Sequence, residues 1–96
     1  MKECKNLDVV RDGIDALDRQ IVGLLSERSA YIEQAARIKR SVDEIEVPER
    51  VEEIVSNVRG LATEYGMSPD IVEDVYRVMV ARFIEFEMQR YRETLA

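Results

Sequence analysis

The sequence predicts an all-α chain of one long helix and two shorter ones that pairs with a second copy into an intertwined helical homodimer. Three observations carry this. Apolar residues recur at Leu7, Val10, Ile14, Leu17, Ile21, Leu24, Tyr31, Ala35 and Ile38, in steps that alternate between three and four, the period of one helix face. Pro48, Gly66 and the Ser68-Pro69 pair stand where helices start and stop. A helix of about 34 residues is roughly 51 Å long, nearly twice the span of a compact domain of 96 residues. Two shorter helices cannot cover it, whereas a second long helix can.

The elements follow in order. Residues 1–6 are a polar lead-in. The long helix is expected over Leu7–Arg40, with Asp8 near its N-terminus and Lys39 and Arg40 at its end, as the helix dipole prefers. Gly13 and Gly23 are isolated and do not interrupt it. Residues 41–47 lose the helical period and read as a loop. Pro48 suits the first turn of a second helix, whose stripe is Arg50, Ile54, Val58, Leu61 and Tyr65, flanked by Val51, Val55 and Ala62. Gly66 ends it as a glycine just past the C-cap. Ser68 caps a third helix, with Pro69 at its first position, running to about Glu93. One face of that helix reads Val72, Tyr76, Met79, Phe83, Glu87 and then Arg90 or Tyr91. The whole, 1–96, is expected to be one domain.

Composition narrows the function. A net charge of −6 argues against nucleic acid as a partner. No run of about 18 apolar residues marks a membrane span, and no secretory pattern opens the chain, so the expected compartment is the cytoplasm. A single cysteine, Cys4, provides no disulfide framework. With no histidine and one cysteine a zinc site is not expected, and Ser-His and Cys-His nucleophiles lack their base. No cofactor is expected.

Misfit residues on apolar faces are the functional signal. Arg28 stands on the seam of the long helix, where an always-charged guanidinium costs several kcal/mol to desolvate unless an anion pairs with it. Lys39, three turns on, points in nearly the same direction roughly 16 Å along the axis. Arg50 opens the stripe of the second helix, and Glu87 interrupts that of the third. Arg11 lies about 25 Å from Arg28 along the same helix, too far to share a small ligand unless it comes from an antiparallel partner chain. These residues describe a pocket for a small dicarboxylate with one further polar feature. Each also has a plainer reading. Arg28 can snorkel, Lys39 can serve the helix dipole, and Arg11 can be solvated. Arg50 can pair with Glu46 or Glu53, and Glu87 with Arg82 or Arg90. Gln89, Arg90 and Arg92 read as a solvated end, and Met67, Met79 and Met88 as gap-filling core.

Over its full length the chain resembles the all-helical (AroQ-type) chorismate mutase family. The resemblance rests on Val9-Val10-Arg11, Ile14-Asp15, Leu17-Asp18, Ile21-Val22, Leu24-Leu25 and Arg28, then Ala36-Arg37-Ile38-Lys39, then Pro48-Glu49-Arg50-Val51. The last piece is similar to the isochorismate pyruvate lyase branch. The resemblance implies a homodimer with two equivalent sites. In each, Arg11 from the partner chain and Arg28 bind the substrate carboxylates, Arg50 frames the carboxylate side, and Lys39 donates to the ether oxygen of the enolpyruvyl group. Glu87 matches a position that is often glutamine and faces the same oxygen, where it assists only in its protonated form. Val47 and Val51 stand where typical mutases carry acids that hold the ring hydroxyl, and Phe83 where several carry a small hydroxyl residue. These pocket-wall changes favour a lyase-like pocket, while Glu87 departs from the glutamine of the lyases. The first expectation is therefore chorismate mutase, an isomerase. The alternative is isochorismate pyruvate lyase, which yields salicylate and pyruvate. A reading from another class is a non-catalytic dimeric helical binding module.

Overall fold

The computed structural model describes residues 3–95. The first two positions of the lead-in lie outside the described residues. Among the described residues there are three α-helices: α1, Leu7–Ile38, α2, Pro48–Glu64, and α3, Pro69–Thr94, with a short 3-10 turn, Val42–Glu44, between the first two. The chain divides into two compact units, one ending at Tyr31 and the other beginning at Ile32, and α1 contributes to both. No helix among the described residues is long and apolar enough to cross a membrane.

The first unit is the greater part of α1. Its start is built by Asn6, whose side-chain oxygen accepts from the Val9 N–H at 3.0 Å, satisfying one of the orphan donors of the first turn. The seam found by spacing is exposed in the single chain. Leu7, Val10, Ile14, Leu17, Ile21, Leu24 and Tyr31 are between 38% and 73% exposed.

The second unit holds the last two turns of α1 (residues 32–38), the 3-10 turn, α2 and α3. α1 ends at Ile38, two residues short of expectation. The Lys39 N–H still reaches the Ala35 carbonyl at 2.9 Å, but the Arg40 N–H donates instead to the Glu44 carboxylate at 2.5 Å. An acid four residues ahead thus ends the helix by competing for the next backbone donor.

α2 and α3 pack against each other and are joined by a turn built from local rules. Gly66 adopts φ 70°, the left-handed region that glycine enters at no steric cost. The Met67 N–H reaches the Ala62 carbonyl at 2.8 Å and the Gly66 N–H the Thr63 carbonyl at 3.1 Å, the paired bonds of a Schellman ending. Ser68 then accepts from the Ile71 N–H at 3.3 Å and caps α3.

The buried face of α2 is Val55, Val58 and Ala62, whereas Leu61 is 50% and Tyr65 85% exposed. The inward face is thus rotated away from the expected Arg50–Leu61–Tyr65 line, toward the residues that flank it. The small Ala62 side chain faces inward, and the long or polar-tipped Arg50 and Tyr65 stay in water. Met67 is also exposed and is not core.

On α3, Val80, Glu87 and Tyr91 are buried. A second cluster joins the end of α1 to the end of α3. Ala36, Ile45 and Tyr91 are buried together, with Ile84 and Met88 packed against them. Ile45 thus turns the aperiodic 41–47 segment into an anchored one, because burying one isoleucine contributes about 1.5–3 kcal/mol. On the outer side Arg77 reaches Glu52 with two bonds of 2.8 and 2.9 Å and Glu73 at 2.7 Å. Arg59 reaches Glu73 at 2.8 Å and Asp70 at 3.0 Å. This network orients α2 against α3. Its exposed members contribute modestly to stability.

Candidate functional site

The end of α1 delivers Lys39 to the face of α3 that carries Glu87. The Lys39 ammonium nitrogen lies 2.6 Å from Glu87 Oε2, with the two side chains 27% and 5% exposed. Glu87 is the buried charged residue of the described chain. A carboxylate so placed is tolerated only if a cation or hydrogen-bond donors meet it, and Lys39 meets it. Two positions flagged separately along the sequence are thus brought together. The partner of Glu87 is neither Arg82 nor Arg90, which pair with Glu85, and with Glu33 and Glu93, respectively.

The backbone that carries Lys39 is held from both sides. One residue on, the Arg40 N–H donates to Glu44 at 2.5 Å, and the Arg40 carbonyl accepts from the Tyr91 hydroxyl at 2.8 Å. Tyr91 lies one helical turn beyond Glu87 on α3, and its ring is buried against Ala36 and Ile45. Tyr91 and Glu44 are contributors that spacing alone did not isolate. The signal available was the buried α3 face, on which Tyr91 follows Glu87 by four residues.

The remaining candidates are placed as follows. Arg28 is half-buried and Arg11 exposed, both on the part of α1 in the first unit. Arg50 is exposed and engages Glu53 one turn along α2, so in the single chain it takes its plainer reading and does not face inward. Val47, the residue before Pro48, and Val51 are half-buried at the start of α2. Phe83 is half-buried on α3 and packs edge-to-face on Phe86, with centroids 6.3 Å apart and planes at 80°. Arg90 is not a solvated end residue. It lies over the Phe86 ring at 5.0 Å and lines a hollow of about 280 Å³ with Glu33, Ala36, Arg37, Glu93 and Thr94. Its guanidinium is already matched there by Glu33 and Glu93, so this hollow offers a dianion less than the Lys39 neighbourhood does.

Chemically, the Lys39–Glu87 pair is a donor held in a defined place. An ammonium has three N–H donors, and the contact to Glu87 leaves others for an acceptor oxygen. Such a preorganised cation at a partly buried spot suits charge that develops during a reaction. It does not suit nucleophilic chemistry, since no activated nucleophile accompanies it.

The chorismate mutase type II family matches residues 10–88, which span α2 and all but the ends of α1 and α3. The isochorismate pyruvate lyase of Pseudomonas aeruginosa is 30% identical over 97% of this chain and 92% of its own length. The chorismate mutase of Methanocaldococcus jannaschii is 26% identical over 94% of this chain and 92% of its own. The T-protein of Enterobacter agglomerans is 30% identical over 93% of this chain, a match that takes up 24% of that longer protein.

Proposed function

Because the chain belongs to the chorismate mutase type II family, we propose that it is a chorismate mutase, rearranging chorismate to prephenate, and that it works as a homodimer. The observation that carries the reading is Lys39 held at 2.6 Å from the buried Glu87 within a chain that this family matches over residues 10–88.

The rearrangement is pericyclic and needs no nucleophile or general base. The chain has two tasks: to hold the substrate in its near-attack shape, and to meet the negative charge that grows on the ether oxygen as the carbon–oxygen bond breaks. The first falls to Arg28, Arg50 and the partner subunit's Arg11, which clamp the two carboxylates and convert a rare conformer into the bound one. The second falls to Lys39, whose contribution is largest in the transition state and so raises turnover more than binding. Glu87 is ion-paired with Lys39. Toward the ether oxygen it can donate only when protonated. Arg50 leaves Glu53 for the substrate, and because the Arg50–Glu53 pair is exposed, giving it up costs little. The exposed seam from Leu7 to Tyr31 supports the homodimer, because apolar faces of that length are seldom left in water.

A second reading, isochorismate pyruvate lyase, has its own support. A protein of that name aligns over nearly the whole chain, and Val47, Val51 and Phe83 supply no polar group for a ring hydroxyl. The same clamps and the same donor would serve elimination of pyruvate. A side-by-side assay with chorismate and isochorismate separates the two. Loss of chorismate absorbance with prephenate formed, and no salicylate fluorescence, supports the mutase. Salicylate formed from isochorismate at the higher kcat/KM supports the lyase. Turnover of neither rejects both and leaves a non-catalytic binding module.

A further inference from the structure

We propose that Tyr91 and Glu44 are positioning residues for Lys39, acting together as a latch on the backbone that carries it. The proposal rests on the reading of Lys39 as the ether-oxygen donor. Lys39 lies just past the last residue of α1, where a helix end ordinarily frays and its carbonyls lack partners. Here the next residue is held at both of its polar backbone groups. The Arg40 N–H goes to the Glu44 carboxylate at 2.5 Å, and its carbonyl takes the Tyr91 hydroxyl at 2.8 Å. The two tethers differ in origin. Glu44 belongs to the 3-10 turn that follows, while Tyr91 belongs to α3, the helix that also carries Glu87.

Tyr91 therefore links the backbone of Lys39's neighbour to the same rigid helix that holds the partner of Lys39. Its ring is fixed by Ala36 before the site and Ile45 after it, so the segment between them is closed at several points. Lysine has a long, flexible stem, and its reach is defined only if its Cα is. A donor displaced by about 1 Å can lose up to about a hundredfold in rate. Loosening the latch should lower turnover and leave carboxylate binding, which belongs to the arginines, nearly unchanged.

The test uses the full chain. Tyr91→Phe keeps the ring that packs on Ala36 and Ile45 and removes the hydroxyl. The expected result is kcat lowered about tenfold with KM changed less than about threefold. The melting temperature should shift by only a few degrees, and amide exchange at Arg40 and Ile45 should be faster. Glu44→Ala should act in the same direction, and Glu44→Gln, which keeps an acceptor for the Arg40 N–H, should restore most of the loss. Unchanged kcat with faster exchange would overturn the positioning role. Unchanged exchange in Tyr91→Phe would overturn the latch itself. Wild-type protein inactive on both chorismate and isochorismate would instead overturn the functional reading, and the catalytic half of the proposal with it.

Discussion

Replacing Lys39 by methionine tests the pairing on which the site is built. The side chain keeps its length and apolar stem but loses the cation that meets Glu87 at 2.6 Å. Glu87 is 4% exposed, so the variant leaves a carboxylate buried without its counter-charge. Removing one partner of a fully buried pair costs about 3–5 kcal/mol. The Lys39 side chain is 27% exposed, so water reaches the site and the expected cost falls to about 1–3 kcal/mol. The double variant Lys39→Met, Glu87→Gln removes both charges and should recover most of that loss, giving a coupling of the same size between the two positions. The assay is urea unfolding followed by helical circular dichroism. All four proteins are held at one concentration, because association adds concentration-dependent stability. If Lys39→Met is as stable as wild type, or if the two single losses simply add, then the contact contributes nothing and Glu87 is satisfied by something else.

Other outcomes follow from the same geometry. Arg77, hydrogen-bonded to both Glu52 and Glu73, holds these carboxyls below the usual carboxylate range. A lowered folded-state pKa gives stability that is present above the unfolded value of about 4.3 and is lost as pH falls through the folded one. The stability difference between wild type and Arg77→Gln should therefore be measurable at pH 7, fade on acidification below about pH 4, and shrink in high salt. A difference constant from pH 7 to pH 2 would refute it. Gly66→Ala, at φ 70°, should destabilise by about 1–2 kcal/mol as read by the thermal midpoint, although a methyl group there meets no neighbour. In the α1 seam, Leu17→Glu or Ile21→Glu should convert the proposed dimer to monomer by sedimentation equilibrium. Turnover should be lost in parallel, since the partner subunit's Arg11 would be absent from the site. Full activity in a monomeric variant would reject that sharing.

The parts of the fold legible in the sequence are those governed by neighbours a turn or less away. Pro48, Gly66, Ser68 and Pro69 each act on backbone groups within a few residues, and the starts of α2 and α3 and the turn between them fall where these residues place them. The α1 seam is legible because a period repeated over eight turns outweighs any single misfit such as Arg28. Of the misfit residues, Lys39 and Glu87 are the two that the fold brings together. That Glu87 is buried follows from its place on the α3 face, and that it needs a partner follows from its charge.

Which partner it takes is a tertiary matter, and so are the other departures. Lys39 lies far from Glu87 along the chain, and only the packing of the α1 end on α3 chooses it over the nearer Arg82 and Arg90. The α2 face turns to Val55, Val58 and Ala62 because the side chains of α3 opposite it select the face that packs, a choice with several near-equal solutions in the sequence pattern. Ile45 carries no periodic signal in the segment it closes, and the α3 pattern alone does not choose between Arg90 and Tyr91. The burial of Ile45 and Tyr91 exists only once the loop folds back on α3. Periodicity and capping are local and determine where the helices run. Burial and charge pairing depend on groups distant in sequence, and these decided that Lys39, Glu87 and Tyr91 stand together.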